Sequence, residues 1–141
     1  MFVGQHEHSL DPKGRVVLPA SFRSAVVDRG YVTNLGSCIG LWDEEGFQAI
    51  TEELKKLLAE RTLSQDDFRK MMRETRQVKL DSAGRITVPR ELLDELGFDR
   101  EVVITGRWDR VEIWPAAVFA EKNAATDSNA KLADTIDALG L

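Results

Sequence analysis

Two aspartate–arginine pairs are the side chains of this sequence whose types and spacing best suit chemistry. Asp11 lies four residues before Arg15, and Asp81 lies four residues before Arg85. A guanidinium binds phosphates and guanine edges through two parallel hydrogen bonds. A carboxylate on the other side of a tight turn can hold that guanidinium in one orientation. Each pair is therefore a candidate for recognising an anion or a base edge.

The residues between the members of each pair predict a tight hairpin turn. In the first copy, Pro12 presets φ at the second turn position, and Gly14 can take a positive φ at the fourth. Gly84 stands at the same place in the second copy. The turns differ where Lys13 adds a cation and Ala83 adds none. We therefore expect structural roles for Pro12 and both glycines, and unequal loops.

Both pairs belong to a longer repeat. Residues 10–19 read Leu-Asp-Pro-Lys-Gly-Arg-Val-Val-Leu-Pro, and residues 80–89, 70 positions later, read Leu-Asp-Ser-Ala-Gly-Arg-Ile-Thr-Val-Pro. Further apolar residues recur at nearly the same spacing: Val32, Ile39, Leu41, Trp42 and Phe47 correspond to Ile104, Val111, Ile113, Trp114 and Phe119. Because this period is longer than that of ordinary solenoid repeats, it indicates two tandem half-domains.

The hydrophobic pattern predicts a similar order of elements in each copy. Strands are predicted at residues 2–10, 15–18, 31–35 and 38–42, then at 77–81, 85–88 and across 101–114. Helices are predicted at residues 20–27, 43–59, from 64 onward, at 90–96, from 114 onward and in a tail beginning at Thr126. We therefore divide the chain into a first half (1–47), a helical insert (48–76), a second half (77–120) and a C-terminal helical tail (121–141).

Composition narrows the class of protein. The 141 residues carry a net charge of −5. Because 43% of them are hydrophobic, a chain of this length can form one domain with a hydrophobic core. The single cysteine, Cys38, rules out an intramolecular disulfide. Neither a signal-like N-terminus nor an apolar run of about 18 residues is present, so we expect a cytoplasmic protein. An acidic chain can bind nucleic acid only through locally concentrated cations, and several subunits acting together would supply more of them.

Other interpretations of the same residues lead to different chemistry. Paired aspartates could form a protease dyad, but a neighbouring arginine keeps each carboxylate ionised, which is wrong for a shared proton. His6 and His8 lie on one strand face, yet two ligands make a weak metal site. Cys38 lies in a strand-like stretch, where a thiol packs as a small apolar group. We therefore expect no enzyme, metal, cofactor or small-molecule substrate. The plainest alternative is that the two motifs are only turns with solvated arginines.

The sequence resembles the MraZ family. The opening Met-Phe-x-Gly, the two Asp-x-x-x-Arg motifs, the two Trp-containing hairpins and the helical insert carry the resemblance over essentially the whole chain. The resemblance implies an α+β, mainly β fold, in which two tandem SpoVT/AbrB-type swapped-hairpin halves form one small β-barrel with peripheral helices. It also implies a sequence-specific regulator of bacterial transcription, acting on the promoter of the cell-division and cell-wall gene cluster that contains its own gene.

The resemblance further implies where contact occurs and with what. Its partners would be double-stranded promoter DNA with short repeats and further copies of the chain, assembled as a ring associated with the nucleoid. The implied DNA-binding residues lie in the two loops: Asp11, Lys13, Arg15, Asp81 and Arg85.

An AbrB-like antitoxin is the alternative function, in which the barrel binds DNA and a tail wraps a toxin. Such proteins usually carry one barrel half per chain and a long disordered tail, whereas this chain has two halves and a short tail. Co-purification with a small partner would favour the antitoxin, and self-assembly without one would favour the regulator.

Overall fold

The computed structural model describes residues 1–124 and 128–140 and contains strands and helices in a repeated order. The strands are β1 (Gln5–Ser9), β2 (Arg15–Val17), β3 (Gly30–Asn34), β4 (Ile39–Asp43), β5 (Arg76–Val78), β6 (Arg85–Thr87), β7 (Glu101–Gly106) and β8 (Val111–Pro115). The helices are α1 (Ala20–Arg23), α2 (Glu44–Ala59), α3 (Gln65–Glu74), α4 (Arg90–Glu95), α5 (Ala116–Asn123) and α6 (Ala130–Ala138).

The strands form two separate antiparallel sheets. Six of them pair in the order β1-β7-β8-β4-β3-β5, and β2 pairs only with β6. The prediction of a closed barrel is therefore wrong: in the described part of the chain, β1 and β5 are the two edges of an open sheet. The sheet does not close because the motif strands β2 and β6 bond to each other instead of bridging those edges. The coarser prediction of a sheet-rich α+β protein is confirmed.

The two sequence repeats exchange strands. β1 of the first repeat pairs with β7, which forms a hairpin with β8 in the second repeat. β5, at the C-terminal end of the insert, pairs with β3 of the first repeat. The two hairpins then meet where Ile39 pairs with Ile113 and Leu41 pairs with Val111. Because both sheets draw strands from both repeats, the repeats share one core.

The core lies beneath the motif strands. Val16 and Ile86, the central residues of β2 and β6, are fully buried, while their neighbours along each strand are not. This alternation is what a two-sided strand requires. Phe22 of α1 and Leu93 of α4 pack into the same cluster. Burying each large apolar side chain contributes about 1.5–3 kcal/mol, so the core fixes the position of both motifs.

Two helix starts agree with the sequence prediction, and one helix is shorter than predicted. The side chain of Asp43 caps α2 by accepting from the Gly46 N–H at 2.7 Å, and Ser64 caps α3 by accepting from the Asp67 N–H at 3.0 Å. The helix predicted at 20–27 ends at Arg23, because the chain turns to bury Val26 in the core. The insert helices contain no fully buried residue.

The tail is described only in part. α6 and the residue that caps its C-terminus present an exposed apolar face of Leu132, Ile136 and Leu139. Thr126, where the tail was predicted to begin, lies outside the described residues, as do the other residues of 125–127 and residue 141. No helix within residues 1–124 and 128–140 is long and apolar enough to cross a membrane.

Candidate nucleic-acid interface

The first motif forms a turn that its own aspartate organises. The Gly14 N–H donates to the Asp11 backbone carbonyl at 3.0 Å, which closes the turn. Oδ1 of Asp11 accepts from the backbone N–H groups of Lys13 and Arg15, both at 2.9 Å. Oδ2 accepts from Nε of Arg15 at 2.5 Å. The carboxylate therefore holds both the loop backbone and the guanidinium.

The second motif repeats this arrangement. The Gly84 N–H donates to the Asp81 backbone carbonyl at 3.0 Å. Oδ1 of Asp81 accepts from the N–H groups of Ala83 and Arg85 at 2.9 Å each, and Oδ2 accepts from Nε of Arg85 at 2.8 Å. Each arginine uses Nε for its aspartate, and its side chain is about 30% exposed. In both loops the guanidinium is held in place yet accessible.

The charge state of both aspartates follows from these bonds. The hydrogen bond from the Arg15 backbone N–H, with further help from the Arg15 side chain, holds the pKa of Asp11 below its ordinary value of 3.8. The Arg85 backbone N–H has the same effect on the pKa of Asp81. Ionised carboxylates that serve as acceptors for their own loops do not suit a shared-proton dyad.

The two arginines share one face of a short β-ribbon. β2 and β6 pair antiparallel, with Arg15 opposite Thr87 and Val17 opposite Arg85. Directly paired residues lie on the same face, and these four face outward because the intervening Val16 and Ile86 are buried. From a rise of about 3.4 Å per residue and a strand spacing of about 4.8 Å, the two arginine Cα atoms lie roughly 8 Å apart. The ribbon thus unites the two motifs in one surface.

The motif glycines are required by backbone shape. Gly14 and Gly84 have φ values of +76° and +74°, a region that favours glycine. A methyl group on Gly14 would also lie 3.0 Å from the Val88 carbonyl oxygen and 3.1 Å from Cδ1 of Leu93. Pro12 occupies the exposed second position of the first turn. The turn residues named from sequence all lie in the two loops.

Two arginines beside the loops were not singled out from sequence. Nη2 of Arg90 donates to the Pro12 carbonyl at 3.3 Å, and Arg90 lines a cleft of about 510 Å³ next to the first loop. Arg23 packs against Gly84 of the second loop. Both lie on helices of the opposite repeat, so no linear spacing could have revealed them.

The other residues weighed from sequence lie away from this chemistry. The His6 ring packs edge-on against Phe22 at 5.7 Å between ring centroids. Among the residues that the structure describes, no group of three or more metal-ligating side chains comes together. Cys38 is buried, and burial raises the pKa of its thiol to about 12. A thiol in that state is a poor nucleophile.

The chain belongs to a class of proteins that carry two tandem copies of one motif on a shared β-ribbon. The two turns place their guanidinium groups on one face of that ribbon, an arrangement that suits an anionic polymer. Comparison with known proteins identifies the family. The family described as "MraZ protein, putative antitoxin-like" matches residues 1–68 and again residues 71–138. The chain belongs to the MraZ family.

Full-length relatives agree with this assignment. The chain is 34% identical to a protein of Syntrophomonas wolfei and 32% identical to one of Thermoanaerobacter pseudethanolicus, with the whole of each chain covered. A relative from Clostridium acetobutylicum is 30% identical over the same full coverage. All three relatives are named "Transcriptional regulator MraZ".

Proposed function

We propose that this chain is a DNA-binding transcriptional regulator that reads its site through the two Asp-x-x-x-Arg loops. The names of its full-length relatives support the regulatory role. The observation that carries the proposed contact is the β2–β6 ribbon, on which Arg15 and Arg85 face the same way and are each fixed by an aspartate. Asp11 and Asp81 act as positioning residues, and catalysis forms no part of the proposal.

The ribbon has suitable dimensions for a DNA groove. The major groove of B-DNA is about 12 Å wide and admits a two-stranded β-ribbon. Arginine paired bidentately with guanine O6 and N7 is the commonest specific contact there. Lys13, at the exposed tip of the first loop, would bind a phosphate and so set the position of the ribbon without reading sequence.

We further propose that several subunits act together in a ring-like homo-oligomer. With a net charge of −5, one chain offers few cations, and linking several weak sites multiplies affinity. Exposed apolar residues provide surface for subunit contacts. Met1, Val3 and Trp108 lie close together because Phe2 is hydrogen-bonded to Trp108, whose exposed fraction is 64%. Neighbouring subunits would then meet short DNA repeats spaced near one helical turn or less.

The family resemblance supports a proposal for the target and the cellular location. We propose that the protein acts on the promoter of the cell-division and cell-wall gene cluster containing its own gene, in the cytoplasm and associated with the nucleoid. The proposed division of the chain at residues 47, 76 and 120 places one loop in each half.

Binding and assembly can be tested with the purified protein. Genomic fragments retained by the protein are sequenced, and the enriched repeat is then titrated against wild type and Arg15→Ala by fluorescence anisotropy. Specific binding should be lost or greatly weakened in the variant, whereas the mass from light scattering should not change. If Arg15→Ala binds like wild type and stays assembled, the loops are only turns. If wild type binds DNA tightly as a monomer, the ring is wrong.

The antitoxin function is a second candidate, which the antitoxin-like family description favours. The exposed face of α6, with Leu132, Ile136 and Leu139, would then cover a toxin rather than another copy. Affinity purification from the native host separates the two: a stoichiometric small protein partner supports the antitoxin, and assembly of this chain alone supports the regulator.

A further inference from the structure

The guanidinium group of Arg23 lies against the second loop. A methyl group on Gly84 would lie 2.7 Å from both Cζ and Nε of Arg23 and 2.9 Å from Nη1, so the guanidinium rests on the loop backbone. Nε donates to the Leu18 carbonyl at 2.8 Å, and the Leu18 N–H donates to the Gly84 carbonyl at 3.0 Å. Arg23 therefore has a defined position where the two motif strands join.

The outer half of this guanidinium has no acceptor. Across residues 1–124 and 128–140, Nη1 and Nη2 of Arg23 have no hydrogen-bond or ion-pair partner, and both reach solvent. The neighbouring loop arginines also bond through Nε, but their acceptors are the carboxylates of Asp11 and Asp81, which offset their charge, whereas the acceptor of Arg23 is a neutral carbonyl. A positioned guanidinium with two free donor groups is well suited to a phosphate.

Arg23 and its counterpart in the second repeat differ in charge. Its counterpart 70 residues later is Leu93, which packs against Gly14 of the first loop. The first loop carries its own cation, Lys13, and faces this leucine, with Arg90 bonded to the Pro12 carbonyl. The second loop has Ala83 in place of the lysine and faces Arg23. A cation missing from the loop is thus replaced by one from the helix of the other repeat.

We propose that Arg23 is a DNA phosphate contact that completes the second loop, alongside the base-reading Arg85. This inference rests on the proposed function and adds a residue to it. Because a phosphate contact carries no sequence information, Arg23 should strengthen binding to promoter and unrelated duplexes alike.

The test is a set of salt-dependent anisotropy titrations against the promoter repeat and an unrelated duplex of equal length. Arg23→Met should weaken both complexes by the same factor and reduce the slope of log K against log salt by about 0.9 per bound subunit. Arg23→Lys should retain the wild-type slope. Adding Ala83→Lys to Arg23→Met should restore it. Arg69→Ala removes an equal charge from α3, where Arg69 pairs with Asp66, and should leave the slope unchanged.

A purely structural role would give a different pattern. If Arg23 only clamps Leu18, the Lys and Met variants should lose thermal stability and binding equally, with an unchanged salt slope; that result overturns the proposal. Arg23→Gln, which keeps a donor for the Leu18 carbonyl without a charge, provides a neutral variant should Arg23→Met fail to fold. It too must lower the slope.

Parallel titrations separate this inference from the proposed function. If Arg15→Ala and Arg85→Ala bind like wild type, contact through the loops is wrong altogether. If those variants lose binding while Arg23→Met and Arg23→Gln keep the wild-type affinity and slope, only the role of Arg23 is wrong.

Discussion

The two motif loops have the same internal hydrogen bonds but different surroundings. In each, one aspartate accepts from two backbone N–H groups and from the Nε of its arginine. The first loop packs against Leu93, and its Gly14 is buried. The second packs against the side chain of Arg23, and its Gly84 is half-buried. A short motif thus sets its own geometry, while neighbours from the other repeat set its charge and its tolerance to substitution.

Loss of either loop arginine should weaken DNA binding strongly, and the two losses should differ. Arg15→Ala should remove a bidentate base contact, which costs about 1–3 kcal/mol per subunit, and an oligomer loses this several times over. Arg85→Ala should weaken binding less, because both Lys13 and Arg90 lie beside the first loop, whereas the second has Ala83 and receives Arg23 from α1. Anisotropy titrations of both variants at one salt concentration measure the difference. Equal losses would show that the loops contribute alike.

The two glycines should differ in the stability that they confer. Gly14→Val and Gly84→Val both place a β-branched residue at positive φ, which costs on the order of 1 kcal/mol or more. Gly14→Val should cost more, since its Cβ meets a backbone carbonyl and a buried leucine, whereas the half-buried Arg23 beside Gly84 can turn toward solvent at the loss of one hydrogen bond to Leu18. Urea unfolding of the two variants gives the comparison. A Gly84 variant that is the less stable of the two would reverse it.

Exchanging the residues at 13 and 83 should alter the electrostatic part of binding alone. Lys13→Ala should reduce the salt slope by about 0.9 per bound subunit, if one phosphate contact is lost, and Ala83→Lys should raise it by a similar amount. The ratio of promoter to unrelated-DNA affinity should hardly change. A change in that ratio without a change in slope would mean that these positions read bases.

The two aspartates should make a small, pH-dependent contribution to the stability of the fold. Both aspartates have a folded-state pKa below the ordinary 3.8, so their ionised forms stabilise the folded protein. This contribution is fully present above pH 3.8 and is lost as the pH falls through the lowered values. Asp11→Asn and Asp81→Asn should each make the unfolding midpoint less dependent on pH in that acidic window. Urea titrations across it provide the measurement, and a wild-type dependence in both variants would contradict the assignment.

Much of the local structure could be predicted because it depends on residues close together in the chain. The turn at Asp11, the caps at Asp43 and Ser64 and the two hairpins each rest on hydrogen bonds spanning a few residues. The length of α1 was wrong because burial of Val26, a tertiary event, ends the helix early. Helix propensity depends on neighbouring residues and does not show which side chains the folded core will bury.

The repeat, the two turns held by aspartates and the family resemblance can be recognised from the amino-acid sequence, because each depends on residues close together in the chain or on their spacing. Three features became visible only in the folded chain: β2 pairs with β6, the main sheet is open, and Arg23 lies against Gly84. These outcomes join residues that are far apart along the chain. They depend on which apolar faces can be buried together and on which strands remain free to pair, and neither is encoded in the spacing of any single motif.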